Sequence, residues 1–310
     1  MVLGGRYGIT HGRGIASVMV ACLEHSRPGA ARGLGRQAAL ALAEAGADVT
    51  ICDLLEEDGK RTEAEIAGLG RRAQYGKVDV TRSDEIEPFV QTVIDRLGKM
   101  DILMNNAGIP SDGLSLDEES DEAWRRMIDT NLSSMFYVAK PVARCMIARG
   151  EGGVIINMSS INALVISNIV PRHNVPYCVA KAGVAQLTKE MASDWAQYNI
   201  RVNAIAPGYI PTAQTDASRR YPEIVERIVA NTPMKRYGQE EELKGLVVFL
   251  ASPASSFMTG SLVVMGRVPA PEPGAVHVAV DVDDFAGAIF LKLFHGDRPP
   301  VARARSGAGR

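Results

Sequence analysis

Tyr177 and Lys181 stand four positions apart in Tyr177-Cys178-Val179-Ala180-Lys181, at the head of an Ala-rich run that continues to Lys189. If the run is helical, the two share one face, and a phenol lies beside an ammonium. The neighbouring positive charge favours phenolate. The tyrosine pKa is therefore expected to fall from about 10 toward working pH, which suits a general acid/base. The same spacing also describes two amphipathic residues on a solvated helix, so the pair acquires meaning only from the elements around it.

At 310 residues, with 46% apolar and 23% charged side chains, the chain has an ordinary globular composition and room for one large α/β domain or two small ones. A formal net charge of -2 gives no electrostatic reason to expect nucleic acid or an anionic membrane as partner. No apolar run reaches the roughly 18 residues of a spanning helix. Cys22, Cys52, Cys145 and Cys178 lack Cys-x-x-Cys spacing and read as the reduced thiols of a cytoplasmic protein. The histidines form no His-x-x-x-His pair, so no metal is expected. Before Glu24 the chain carries Arg6, Arg13 and an apolar run from Ile15, the outline of a targeting segment, but no small-residue cleavage pattern follows.

The pair must be positioned by a regular alternation of elements. Ser17 to Leu23 reads as a buried strand, followed by Pro28-Gly29-Ala30-Ala31-Arg32-Gly33-Leu34-Gly35 and a helical pattern from Arg36 to Ala45. Glycines at 29, 33 and 35 allow a tight turn that brings backbone N–H groups to a phosphate at the helix N-terminus. The strand Asp48 to Asp53 then ends in an acid 18 residues past Gly35, placed to accept hydrogen bonds from a ribose 2′-OH.

The rhythm continues with a helix from Glu56 to Leu69, a strand from Ala73 to Val80, a helix from Asp84 to Leu97 and a strand from Asp101 to Asn105. A long helix from Glu119 to Ala148 contains Asn131, a kind of position that is ordinarily solvated. The strand Val154 to Met158 delivers Ser159-Ser160, the Tyr177 helix runs to Tyr198, and the strand Ile200 to Ile205 delivers Pro207-Gly208-Tyr209-Ile210-Pro211-Thr212. Helices from Glu223 to Ala230 and Glu240 to Leu250 precede a last strand, Ser261 to Met265. Strands separated by helices imply βαβ units and a parallel sheet with helices on both faces, whose ligands lie at the carboxyl ends of the strands.

In this order the motifs resemble the short-chain dehydrogenase/reductase family: Gly29, Gly33 and Gly35; Asp79-Val80; Asn105-Asn106-Ala107-Gly108; Asn131; Ser159-Ser160; Tyr177 and Lys181; Pro207-Gly208. The resemblance implies a single Rossmann-type, doubly wound α/β sheet and an NAD(P)-dependent oxidoreductase that interconverts an alcohol and a ketone. It implies Tyr177 as acid/base and Lys181 lowering the tyrosine pKa and binding the nicotinamide ribose. Ser160, with Ser159 as alternate, would bond the substrate oxygen, and Asn131 would hold a water of a proton relay. Cofactor contacts are implied at Gly29, Arg32, Gly33, Leu34, Gly35, Asp53, Asp79, Val80, Asn106, Ala107, Gly108, Tyr177, Lys181, Pro207, Gly208, Ile210 and Thr212. Asp53 argues for NAD(H), since its carboxylate repels a 2′-phosphate. Arg32 pulls toward NADP(H), the alternative cofactor.

Within the family, Asp194-Trp195-Ala196, Asn199 to Tyr209 and Pro233 to Gly238 are similar to the branch acting on sugar acids, such as gluconate 5-dehydrogenase and 2-deoxy-D-gluconate 3-dehydrogenase. Arg172 and His173, in a long loop before Tyr177, are the residues expected to pair with a substrate carboxylate. A solvated loop cation is the plainer alternative. An NADP(H)-dependent 3-oxoacyl reductase and a non-catalytic scaffold are the other functions considered.

Both ends depart from the family pattern. The domain is expected over residues 28–266, after an atypical segment 1–27 in which Glu24-His25-Ser26-Arg27 interrupt the approach to Pro28. The tail 267–310 carries no family motif, and the abrupt change reads as a shifted frame or misjoined coding segment. The last strand usually serves the family's homotetramer or homodimer.

Overall fold

Short apolar segments become strands here because helices cover both faces of the sheet they form, which favours near-continuous apolar runs. The computed structural model describes residues 16–21, 33–111, 113–165, 174–212 and 219–266. Its strands are β1 (Ser17–Ala21), β2 (Asp48–Asp53), β3 (Ala73–Lys77), β4 (Ile102–Asn105), β5 (Gly153–Met158), β6 (Ile200–Pro207) and β7 (Leu262–Met265). They form one sheet in the order β3-β2-β1-β4-β5-β6-β7, with every neighbouring pair parallel. Strand order reverses between β1 and β4, and this switch point opens a crevice at the carboxyl ends.

The described helices are α1 (Leu34–Glu44), α2 (Glu56–Gly68), α3 (Ser83–Leu97), α4 (Asp121–Ile128), α5 (Ser134–Arg149), α6 (Val175–Trp195), α7 (Pro222–Asn231) and α8 (Glu242–Ala251). Alternating side chains divide the interior into two cores. Val18, Val20, Ile102, Met104, Val154 and Ile156 pack with Ala38 and Leu42 of α1 and Val247 and Leu250 of α8. Met19, Leu103, Ile155 and Val202 pack on the opposite face with α3, α5 and α6, through Val90, Val93, Val138, Val142 and Met191. This is the doubly wound arrangement the alternation predicts. None of the described helices is long and apolar enough to cross a membrane.

Strand β1 is paired on both sides, to β2 and to β4, so it is an interior strand of the sheet. At its foot the buried Asp101 accepts the Ser17 N–H at 2.9 Å and lies 3.0 Å from both Lys99 and Arg149. The buried carboxylate is thus paired as well as bonded, which its desolvation requires. The polar residues expected to disturb this strand, Glu24 to Arg27, lie outside the described residues, as do 267–310.

Two elements differ from the sequence expectation. Strand β3 ends at Lys77, not Val80. The Asp79 carboxylate turns back to accept the Thr81 N–H at 2.9 Å and hydroxyl at 2.7 Å, a local turn that competes with strand pairing. The long helix from Glu119 is also not continuous. Ser120 caps α4 by accepting the Ala123 N–H at 3.1 Å, and a π-helical turn, Asp129–Ser133, separates α4 from α5. Gly150, at a φ of 72°, then stops α5 in the left-handed conformation that glycine adopts without steric cost.

Candidate active site

Pro176 lies in the first turn of α6, where its missing N–H costs no helix bond, and Tyr177 follows it. One turn on, the Lys181 Nζ lies 5.6 Å from the centroid of the Tyr177 ring. Lys181 is only 3% exposed, and its ammonium donates to the Met158 carbonyl at 2.9 Å. No described carboxylate pairs with it. Burial disfavours the charged form and lowers its pKa from 10.5 to about 8. The half-buried Tyr177 packs beside Ile109, Met127 and Ala180.

The paired serines after β5 do different work. The Ser159 hydroxyl donates to the Lys181 carbonyl at 2.8 Å and is spent in tying α6 to β5. Ser160 accepts the Asn162 N–H at 3.2 Å, which leaves its O–H able to donate to another group. The two hydroxyls are therefore not interchangeable, and the geometry favours Ser160 for a ligand oxygen.

Asn131 corrects the expectation of a solvated mid-helix residue. It is 0% exposed, and its Oδ1 accepts the Ile109 N–H at 2.7 Å. Its amide donates to the Ile109 carbonyl at 2.9 Å and to the Met127 Sδ at 3.0 Å. It sits in the π-helical turn, a feature found frequently at functional sites. Gly108 is held so close that an added Cβ would lie 3.4 Å from Asn131 Oδ1 and 3.5 Å from Lys181 Nζ.

The adjoining strand ends fit a dinucleotide. Helix α1 begins after Gly33, which is extended and supplies no side-chain cap, so the first N–H groups at Leu34 and Gly35 suit a pyrophosphate. Asp53, at the end of β2, is 7% exposed and accepts the Leu55 N–H at 2.9 Å. Desolvation, reinforced by Asp58, raises its carboxyl from 3.8 to about 7. Asn106, Ala107 and Gly108 follow β4, while Pro207 ends β6 and Gly208 and the buried Ile210 and Thr212 follow it. Gly208 donates to the Met265 carbonyl at 2.6 Å, tying this segment to β7. Val80 is buried in the core, so only its backbone is offered to a ligand, and the Asp79 carboxylate is engaged by Thr81.

Gly29, Arg32, Arg172 and His173 lie outside the described residues. No cluster of three or more candidate metal ligands occurs among the described residues. The carbonyl of Met158 and both backbone groups of Ile109 escaped sequence reading, because a main-chain partner carries no residue-type signature.

Comparison with known proteins agrees with this geometry. A family model described as enoyl-(acyl carrier protein) reductase matches residues 29–266. The chain is 37% identical over 237 residues to the 3-oxoacyl-acyl-carrier-protein reductase of Chlamydia pneumoniae, covering 76% of this chain and 92% of the relative. A short-chain type dehydrogenase/reductase of Mycobacterium marinum superposes with a TM-score of 0.74 at 36% identity, over 81% of this chain and 93% of that one. A gluconate 5-dehydrogenase of Burkholderia cenocepacia, solved with NADP and tartrate, gives a TM-score of 0.71 at 36% identity over 79% and 92%. Fold, motif order and these likenesses converge: the chain belongs to the short-chain dehydrogenase/reductase family.

Proposed function

We propose that the protein is an NAD(H)-dependent oxidoreductase that interconverts a secondary alcohol and a ketone on a sugar acid or polyol, with Tyr177 as acid/base. The observation that carries this reading is the Lys181 ammonium, buried with no carboxylate partner among the described residues and 5.6 Å from the Tyr177 ring. In so dry a setting its charge acts strongly on the phenol and favours phenolate.

Bound nicotinamide supplies the hydride chemistry. In the oxidative direction Tyr177 takes the hydroxyl proton of the substrate, and in reduction it returns one. Ser160 donates to the substrate oxygen and stabilises charge as it develops. Asn131 holds the Gly108 loop against Lys181. Its amide donors are spent on Ile109 and Met127, so a relay water would be held by its main chain.

Asp53 supports NAD(H), since a carboxylate at the end of β2 opposes a 2′-phosphate. The gluconate 5-dehydrogenase likeness supports an acidic sugar, for which Arg172 and His173 are the proposed carboxylate partners. A cytoplasmic homotetramer or homodimer acting on a small molecule completes the reading. The 3-oxoacyl reductase relative, at 37% identity, favours a second reading, NADP(H)-dependent reduction of an acyl thioester.

Fluorescence titration with NADH and NADPH, followed by turnover assays on sugar acids, polyols and a 3-oxoacyl thioester, tests the proposal. Tight NADH binding with sugar-acid or polyol turnover is expected. Preference for NADPH with thioester turnover would install the second reading, and failure to bind either nucleotide would end the enzymatic one.

A further inference from the structure

A buried polar chain runs across the sheet just behind the catalytic groups. The Asn105 amide donates to Met135 O at 3.3 Å and to Asn157 Oδ1 at 2.9 Å. Asn157 donates to Thr188 Oγ1 at 3.0 Å, and Thr188 donates to Val184 O at 2.8 Å. Asn105, Asn157 and Thr188 are 2%, 0% and 1% exposed. Carbonyls terminate the chain at both ends and can only accept. Thr188 must therefore spend its proton on Val184 and receive from Asn157, which turns Asn157 Oδ1 toward Asn105. Each member has one orientation, and four elements, α5, β4, β5 and α6, are joined by it.

We propose that Thr188 is a positioning residue: its hydroxyl sets the height of α6 on β5 and so places Tyr177 and Lys181 against Ser160. Thr188 follows Lys181 by seven positions, about two helical turns, and so lies on the same face of α6. Asn157, its partner, is three residues before Ser160 on the strand that delivers the serine. Two further ties cross the same seam, Lys181 Nζ to Met158 O and Ser159 Oγ to Lys181 O. Successive residues 157, 158 and 159 thus each hold α6, and Thr188 anchors the end farthest from the phenol. Without its hydroxyl the buried Asn157 amide loses its acceptor, and α6 can slide or tilt at the cost of catalytic alignment.

This inference rests on the catalytic reading of Tyr177, and Tyr177→Phe is the control that separates the two. The test compares Thr188→Val with Thr188→Ser by kcat, KM, the pH profile of kcat and NADH affinity. Thr188→Val is expected to lower kcat about tenfold and displace its pH midpoint, with a smaller loss of NADH affinity since Lys181 moves with α6, while Thr188→Ser restores kcat and the midpoint. Thr188→Ala, which adds no bulk, is held to the same standard should the valine variant not fold. A wild-type kcat and pH midpoint in the hydroxyl-less variant, or a serine variant equally slow, would overturn the role of Thr188 while Tyr177→Phe stays inactive. Wild-type turnover in Tyr177→Phe would remove the catalytic reading itself, and this proposal with it.

Discussion

Asn131 grips both backbone polar groups of Ile109, accepting from the N–H at 2.7 Å and donating to the carbonyl at 2.9 Å. One buried carboxamide thereby fixes the segment after β4 against the ammonium that α6 supplies. Replacing it with alanine leaves an N–H and a carbonyl of a buried residue unpaired, at a cost of about 1–3 kcal/mol for each group that finds no water. Asn131→Ala is expected to lower the thermal midpoint and weaken NADH binding together. Calorimetry and fluorescence titration would show it, and an unchanged nucleotide affinity would confine Asn131 to stability alone.

Tyr177→Phe keeps the ring among Ile109, Met127 and Ala180 and removes only the hydroxyl. Turnover is expected to fall about 10²–10⁴-fold, the usual contribution of a positioned acid/base, with the fold intact. Steady-state kinetics and a melting curve read the two effects separately. A variant within about twofold of wild type would rule Tyr177 out as the proton carrier.

Asp53 is expected to link cofactor preference to pH. Its carboxyl, normally near 3.8, is raised to about 7 by desolvation. Between those values the folded state holds a proton that the unfolded state has released. The stability this group contributes is therefore fully present below its unfolded pKa and is lost as pH rises through about 7. Asp53→Asn should stabilise the protein by on the order of 4 kcal/mol at about pH 8 and by well under about 1 kcal/mol at about pH 4. In the unaltered protein, the preference for NADH over NADPH should widen as pH rises through that midpoint, since only the ionised carboxylate repels a 2′-phosphate. A preference that is flat with pH would remove Asp53 as the selector.

The two serines should separate cleanly under substitution. Ser160→Ala is expected to reduce kcat by roughly 100-fold with little change in melting, as loss of a donor to a developing oxyanion does. Ser159→Ala should cost about 1 kcal/mol of stability through the lost tie to the Lys181 carbonyl, with a smaller effect on kcat. The opposite pattern would exchange their roles.

The strand and helix rhythm was legible because strand burial and helix faces follow short backbone periods. The same locality put Tyr177 and Lys181 on one face and Asp53 at a strand end. The parallel sheet with helices on both faces followed as well, since strands joined by helices leave few arrangements, whereas the order of its strands came from the tertiary structure. Residue type alone could not say where Asn131 would point, because an asparagine facing water and one facing Ile109 read alike until α4, the π-helical turn and the β4 loop meet.

The division between Ser159 and Ser160 was likewise hidden. It depends on which hydroxyl reaches the Lys181 carbonyl, 22 residues away in sequence. The depressed Lys181 pKa arises from burial against Met158, 23 residues away, and not from its spacing to the tyrosine. Sequence by itself determined the elements, their order along the chain and the placing of Tyr177 and Lys181 on one helix face, because these rest on local periodicity and side-chain type. Tertiary structure decided which polar atoms are spent and which remain for a ligand. Those assignments are made by main-chain carbonyls and burial, which act between distant residues and leave no mark on any one of them.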